Sequence, residues 1–234
     1  MKPLTAPVSE IFCSVQGEGL YCGQKQVFLR FAGCNLACGY CDEPAAAAGG
    51  PFAEMRCSEA AAEVLKLARR NRAAAVSLTG GEPLLNWKFI KALAPVLKRA
   101  GLAIHLETNG TLYRELEKIK GLVTVIAADI KLPSSTGGRA FWDEHARFLG
   151  AAPEKVFVKA VLTNRTSLAD VKKAIELVFE ARPGIPFFLQ PATPRPGGVK
   201  PPGAAFMEKA CCLAAARLTA VKVLPQQHPI WGVK

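Results

Sequence analysis

The chain has 234 residues, half of them apolar, and 30 Lys and Arg against 19 Asp and Glu give it a formal net charge of +11. That length suits one full core and is short for two, so a single domain spanning 1–234 is expected. No run approaches the ~20 apolar residues of a membrane span, no signal-peptide core precedes Val8-Ser9-Glu10-Ile11-Phe12, and the basic residues are scattered without interleaved aromatics. Membrane insertion and direct nucleic-acid binding are therefore not expected, and the protein reads as cytoplasmic.

Strands and helices alternate along the chain. Gln26–Phe31 reads as a strand. Ser58 is placed to cap a helix running to about Arg70, with Glu59 in the first turn where the helix dipole favours an anion. Ala75–Thr79 is the next strand, and a helix from Trp87 to Ala100 stops at Gly101. Strand Ala103–Glu107, a short helix near Tyr113–Ile119 and strand Val123–Asp129 follow. A helical pattern at Ala140–Phe148 leads into strand Lys155–Leu162. Ser167, with Asp170 three residues on, caps a helix to about Arg182. Pro186–Gln190, Ala204–Leu218 and Leu218–Leu224 complete the pattern as strand, helix and strand. Strands joined by helical crossovers predict an α/β fold, a partial (β/α) barrel of about six parallel strands. Gly33-Cys34, Gly80-Gly81-Glu82-Pro83, Thr108-Asn109-Gly110, Lys131, Asn164 and Gln190-Pro191 each follow a strand. In such folds chemistry collects at that end of the sheet.

Eight cysteines in a chain of this size with no secretion signal point to a metal or redox site rather than a disulfide framework. Cys34, Cys38 and Cys41 form a C-x3-C-x2-C loop. Thiolates bind soft metals, and three of them on a cubane leave one iron open. A closed zinc site normally needs a fourth ligand, and Cys57 and the adjacent Cys211-Cys212 supply no matching pair. Cys13 and Cys22 read as partly buried thiols, Cys211 and Cys212 as small apolar helix residues, and His105 as a structural strand residue.

The cysteine loop at the end of the first strand resembles that of the radical S-adenosylmethionine (SAM) superfamily. The resemblance implies a 4Fe–4S cluster on Cys34, Cys38 and Cys41, whose open iron chelates SAM and whose electron yields a 5′-deoxyadenosyl radical. It places Tyr40 beside adenine, with Cys41 and Asp42 along the cofactor. Gly81 and Glu82 resemble the segment that meets the methionine moiety; glycine there permits close backbone approach. Asp129 and Lys131 resemble the ribose- and carboxylate-contacting pair, and Gln190 and Thr193 the adenine-side segment.

A narrower resemblance rests on Glu10-Ile11-Phe12-x-Ser14-Val15-Gln16-Gly17-Glu18-Gly19, Phe28-Leu29-Arg30-x2-Gly33-Cys34-Asn35-Leu36, Leu106–Thr111 and Val223–Gly232. It is similar to the 7-carboxy-7-deazaguanine synthase family from about residue 8 onward. That family contracts 6-carboxy-5,6,7,8-tetrahydropterin to 7-carboxy-7-deazaguanine with loss of ammonia, assisted by Mg2+. The resemblance implies that Val15, Gln16 and Gly17 lie along the pterin, that Arg30 meets its carboxylate, and that Thr79 touches substrate. A guanidinium fork suits a carboxylate. Glu107 is a candidate proton acceptor or, equally, a loop anchor. A flavodoxin-like electron donor and a homodimer are the implied partners. One departure stands out: the family places Thr or Ser two residues after the third cysteine as an Mg2+ ligand, and this chain has Glu43. Another radical SAM reaction on a small anion, activation of a glycyl-radical partner, and a zinc-stabilised RNA-binding module remain the alternatives.

Overall fold

The computed structural model describes residues 3–194 and 198–233. Its spine is a nine-stranded sheet in the order β3-β1-β2-β4-β5-β6-β7-β8-β9. The strands are β1 (Thr5–Val15), β2 (Lys25–Phe31), β3 (Ala53–Arg56), β4 (Ala75–Gly80), β5 (Ala103–Thr108), β6 (Val125–Asp129), β7 (Val156–Leu162), β8 (Phe187–Pro191) and β9 (Val221–Val223). From β2 to β9 every neighbouring pair is parallel, giving seven parallel strands. β1 is antiparallel to both β2 and β3. The sheet is open, with β3 and β9 as its edges.

Two strands were not expected. β1 and β3 are an antiparallel extension that follows none of the crossover rhythm, and β1 carries polar residues at irregular intervals. Its eleven residues include Glu10 and Ser14, and only Ala6 and Val8 are buried. By contrast β7 is buried at all seven positions, the pattern of a parallel strand covered on both faces.

The helices are α1 (Pro44–Ala47), α2 (Cys57–Asn71), α3 (Trp87–Arg99), α4 (Tyr113–Glu117), α5 (Pro133–Thr136), α6 (Trp142–Ala151), α7 (Leu168–Ala181), α8 (Ala204–Ala215) and α9 (His228–Trp231). α3 shows how they pack: Phe89, Ile90, Leu93, Ala94 and Leu97 fall on one face and are buried. α2 begins two residues earlier than a Ser58 cap predicts. The Arg56 N–H is taken by the Glu59 carboxylate at 2.8 Å, so Arg56 occupies the cap and Ser58 lies inside the helix. Ser167 does cap α7, accepting from the Asp170 N–H at 3.1 Å. Asp170 turns away from its own cap and accepts from the Ser134 hydroxyl at 2.5 Å, tying α7 to α5, the short helix after β6.

The parallel register sorts core from site. Leu29, Leu78, Leu106 and Ile126 lie side by side across β2, β4, β5 and β6, all essentially inaccessible. Each such side chain contributes roughly 1.5–3 kcal/mol by leaving water. Because side chains alternate, the next residue on each strand faces the other way: Arg30, Thr79, Glu107 and Ala127. That second row lines a cavity.

Candidate active site

The cavity has a volume of about 290 Å3 and opens at the C-terminal ends of the parallel strands. Cys34, Cys38 and Cys41 stand along it on the loop after β2, each partly buried. The loop is held by backbone bonds from Gly33 N–H to Ala46 (2.7 Å) and from Gly39 N–H to Thr136 (3.0 Å). The Leu36 N–H reaches the Cys34 sulfur at 3.4 Å, and Asn109 Nδ2 donates to Asn35 Oδ1 at 2.8 Å. Burial pushes all three thiols above their ordinary value; bound iron would favour their thiolate forms. Among the described residues no three His, Cys, Asp or Glu converge tightly enough to hold one metal ion. A cubane carries its irons at separate corners, so its thiolates stand farther apart than the ligands of one tetrahedral zinc. The three thiols and an open cavity beside them fit a cluster.

Gly80 and Gly81 are required by packing as well as by any ligand. A Cβ on Gly81 would meet the Gly33 carbonyl at 2.0 Å, and one on Gly80 would meet the Phe31 carbonyl at 2.1 Å, where φ is also +122°. Their approach lets Gly81 N–H donate to Phe31 and Glu82 N–H to Gly33. The cysteine loop is thereby clamped to the end of β4. Glu82 itself is fully buried and is not part of the cavity wall. Its carboxylate accepts from the N–H groups of Leu84 (3.0 Å) and Asn109 (2.8 Å) and from the Thr108 hydroxyl (2.8 Å). Burial pushes the carboxyl up to about 7 against those bonds. The side chain thus splices the ends of β4 and β5 together, while Gly81 lines the cavity.

On the β6 side, Lys131 donates to Asp129 at 2.7 Å and lies 5.2 Å from the centre of the Tyr40 ring. The other Asp129 oxygen, Oδ1, is buried with no hydrogen-bond partner. An orphaned acceptor on the cavity wall beside an aromatic ring and an ammonium suits a ligand that brings hydroxyls and a carboxylate, as SAM does. Lys131 is positioned by His145 of α6, a residue that the sequence did not single out. The Lys131 N–H donates to His145 Nε2 at 3.0 Å, and His145 contacts the Gly110 carbonyl through its other nitrogen. Helix α6 was visible in the sequence, but nothing there marks which of its faces meets the strand ends.

On the other side, Gln16 Nε2 donates to Glu107 at 2.7 Å and the Thr79 hydroxyl donates to it at 2.9 Å. Val15, Gln16 and Gly17 line the cavity. A Cβ on Gly17 would lie 2.7 Å from the His228 nitrogen, so glycine here admits the C-terminal segment. Arg30 lies over Phe12 (5.6 Å) with Glu10 3.7 Å from its Nε. Its Nη1 is 2.9 Å from Glu43.

A second network was not foreseen. Glu18 forms an ion pair with Lys159 of β7 and accepts from Gln226 Nε2 (2.6 Å) and Gln190 Nε2 (3.3 Å). Gln226 also donates to Asp42 at 2.8 Å and accepts from Thr193 at 2.5 Å. Gln190, Thr193 and Asp42 all line the cavity, their side chains engaged by this network. Burial pushes the Glu18 carboxyl up, but Lys159 and the Gln226 amide more than offset it and hold it at about 2. A lysine inside the apolar run Val156–Leu162 was the available signal, because a charge there needs a partner.

Of the remaining cysteines, Cys13 and Cys22 are partly buried as read, whereas Cys212 is exposed rather than packed. His105 is buried against Gln26 (3.1 Å) and the Tyr21 ring, and burial lowers it to about 4.

The radical SAM superfamily model matches residues 29–188. A 7-carboxy-7-deazaguanine synthase of Geobacter sulfurreducens is 36% identical, with 97% of each chain covered. One from Methanopyrus kandleri is 36% identical over 95% of this chain and 92% of its own. Among solved structures, QueE from Escherichia coli superposes with a TM-score of 0.64 at 20% identity, covering 94% of this chain and 93% of that one. A radical SAM methyltransferase from Sphaerobacter thermophilus reaches the same TM-score at 19% identity, covering 87% and 70%. That likeness is one of fold. The chain belongs to the radical SAM superfamily and, within it, to the 7-carboxy-7-deazaguanine synthase family.

Proposed function

We propose that this chain, acting as one unit over residues 1–234, forms 7-carboxy-7-deazaguanine from 6-carboxy-5,6,7,8-tetrahydropterin. The observation that carries the reading is the register row Arg30, Thr79 and Glu107, which faces the same cavity as the three cysteines. Cys34, Cys38 and Cys41 would hold a 4Fe–4S cluster, which with SAM would supply hydrogen-abstracting radical chemistry. The protein's own groups bind and orient. Gln16 and Thr79 fix the Glu107 carboxylate at the cavity wall, where it can accept a proton from the rearranging heterocycle or anchor the Gln16 loop. Arg30 offers a guanidinium to the substrate carboxylate. Tyr40, Asp129 and Lys131 line the cofactor side, with Gly81, Gln190 and Thr193 around it. Asp42 and Glu43 are the hard oxygen donors nearest the third cysteine and suit Mg2+ completed by substrate and water. No described helix is long and apolar enough to cross a membrane. A cytoplasmic setting, a flavodoxin-like donor attracted by the positive charge and a homodimer complete the reading.

The test is incubation of anaerobically reconstituted protein with SAM, a reductant and the carboxytetrahydropterin, with product identification by mass spectrometry. The deazaguanine carboxylate is expected, and Cys34→Ala, Cys38→Ala and Cys41→Ala each abolish it while Cys211→Ala does not. SAM cleavage with the pterin returned unchanged would refute the substrate.

A further inference from the structure

Glu43 stands where the family resemblance implies a hydroxyl, and its carboxylate is engaged by the protein. It lies 2.9 Å from Nη1 of Arg30, an ion pair at the cavity wall. The guanidinium is enclosed on its other sides. Phe12 stacks against it, and Glu10, its partner across the antiparallel β1–β2 register, lies beside Nε. Only 15% of the Arg30 side chain is exposed, and both Arg30 and the Glu43 that pairs with it line the cavity. Glu43 itself is 42% exposed and precedes the four-residue helix α1, with no cap bond from its side chain to hold it in place. A mostly buried guanidinium thus faces a partly exposed carboxylate whose side-chain partner is that guanidinium.

We infer that Glu43 is an internal stand-in for the substrate carboxylate, occupying Arg30 in the free protein and yielding it when substrate enters. This rests on the role of Arg30 as carboxylate clamp. Binding then exchanges one Arg30–carboxylate pair for another instead of forming a new one, and the displaced Glu43 remains close to the incoming anion. Two carboxylates at one guanidinium repel. A divalent cation turns the same pair into a bridge, because Mg2+ accepts carboxylate oxygens from both. Glu43 accordingly rejects anions that arrive without the metal and couples substrate affinity to Mg2+. A hydroxyl in its place would allow anion binding with less dependence on the metal.

The experiment is equilibrium binding of the carboxytetrahydropterin to the cluster-loaded, SAM-bound protein without reductant, so that no turnover occurs. Wild type, Glu43→Gln, Glu43→Thr and Arg30→Ala are titrated with and without Mg2+, and iron content and circular dichroism confirm that each is loaded and folded. Without Mg2+, Gln and Thr should bind the substrate about fivefold more tightly than wild type, the scale of a partly exposed ion pair. Mg2+ should tighten wild type and close most of that gap. A tetrahydropterin lacking the 6-carboxylate should bind wild type and both Glu43 variants equally. Equal affinities of wild type and both variants in the absence of Mg2+ would overturn the inference, and so would equal tightening for the pterin without a carboxylate. Arg30→Ala separates the two levels: unchanged substrate binding there removes the clamp itself. Weakened binding in Arg30→Ala beside indifferent Glu43 variants removes only the stand-in.

Discussion

His145 is buried to 1% exposure and holds a neutral ring between two strand-end loops, which makes it an acid-sensitive point in the fold. Its Nε2 accepts from the Lys131 N–H at 3.0 Å, so that nitrogen cannot carry a proton without breaking the bond. The tautomer follows: the proton sits on Nδ1, which meets the Gly110 carbonyl. Burial, reinforced by the Lys131 ammonium, lowers the ring from its ordinary 6.5 to about 3. Between those values the unfolded chain binds a proton that the native protein refuses. Stability from this group is therefore complete above pH 6.5 and lost as the pH falls through that window. At pH 5 the deficit is 1.5 units, or about 2 kcal/mol at ~1.36 kcal/mol per unit. Two measurements check this. In 15N-His spectra two of the three imidazoles, His105 and His145, should show no titration above pH 5, and the His145 ring should carry its proton on Nδ1. In chemical denaturation, His145→Asn should be less stable than wild type at pH 7.5, with the gap narrowing by about 2 kcal/mol at pH 5. Parallel stability curves, or an imidazole set that all titrates near 6.5, would falsify the assignment.

Three further outcomes are expected. Arg30→Lys keeps the charge but loses the planar fork, so turnover of the carboxytetrahydropterin should fall at least about tenfold, ~1.4 kcal/mol of transition-state stabilisation; SAM affinity measured by equilibrium dialysis should hold, and its loss would reassign the residue. Gly81→Ala drives a methyl to 2.0 Å from the Gly33 carbonyl, which should cost more than about 2 kcal/mol and lower iron loading by displacing the cysteine loop; wild-type melting and iron content would contradict the packing role. Lys159→Met leaves Glu18 buried without its countercharge, a loss of about 3–5 kcal/mol at neutral pH. Because Glu18 is held near 2 against an ordinary 4.5, the stability it adds is present above pH 4.5 and fades towards pH 2, so the wild-type advantage should shrink over that interval in acid denaturation.

The sequence by itself determined the parallel part of the fold and the cysteine loop. The runs at β2, β4, β5, β6, β7 and β8 alternate with amphipathic helices, and that periodicity is local, so it survives without tertiary knowledge. Short thiol spacing is local too. Arg30 and Thr79, set at the substrate by the family resemblance, and Glu107, read from its strand-end position, all line the cavity, because strand alternation turns every second side chain to that side. What only tertiary structure decided is the partnership between distant segments. β1 and β3 are added antiparallel at one edge, a pairing chosen by register rather than by crossover rhythm. Glu82 carries the signature of a ligand-facing motif yet spends both oxygens joining β4 to β5. His145, Lys159 and Gln226 join the site across 14 to 208 positions of sequence. Contacts of that range leave no periodic trace in the chain. Glu43 is legible as an odd residue from sequence, but its pairing with Arg30 exists only because the cysteine loop folds back across the end of β2 and brings a carboxylate to a guanidinium that the core has already fixed.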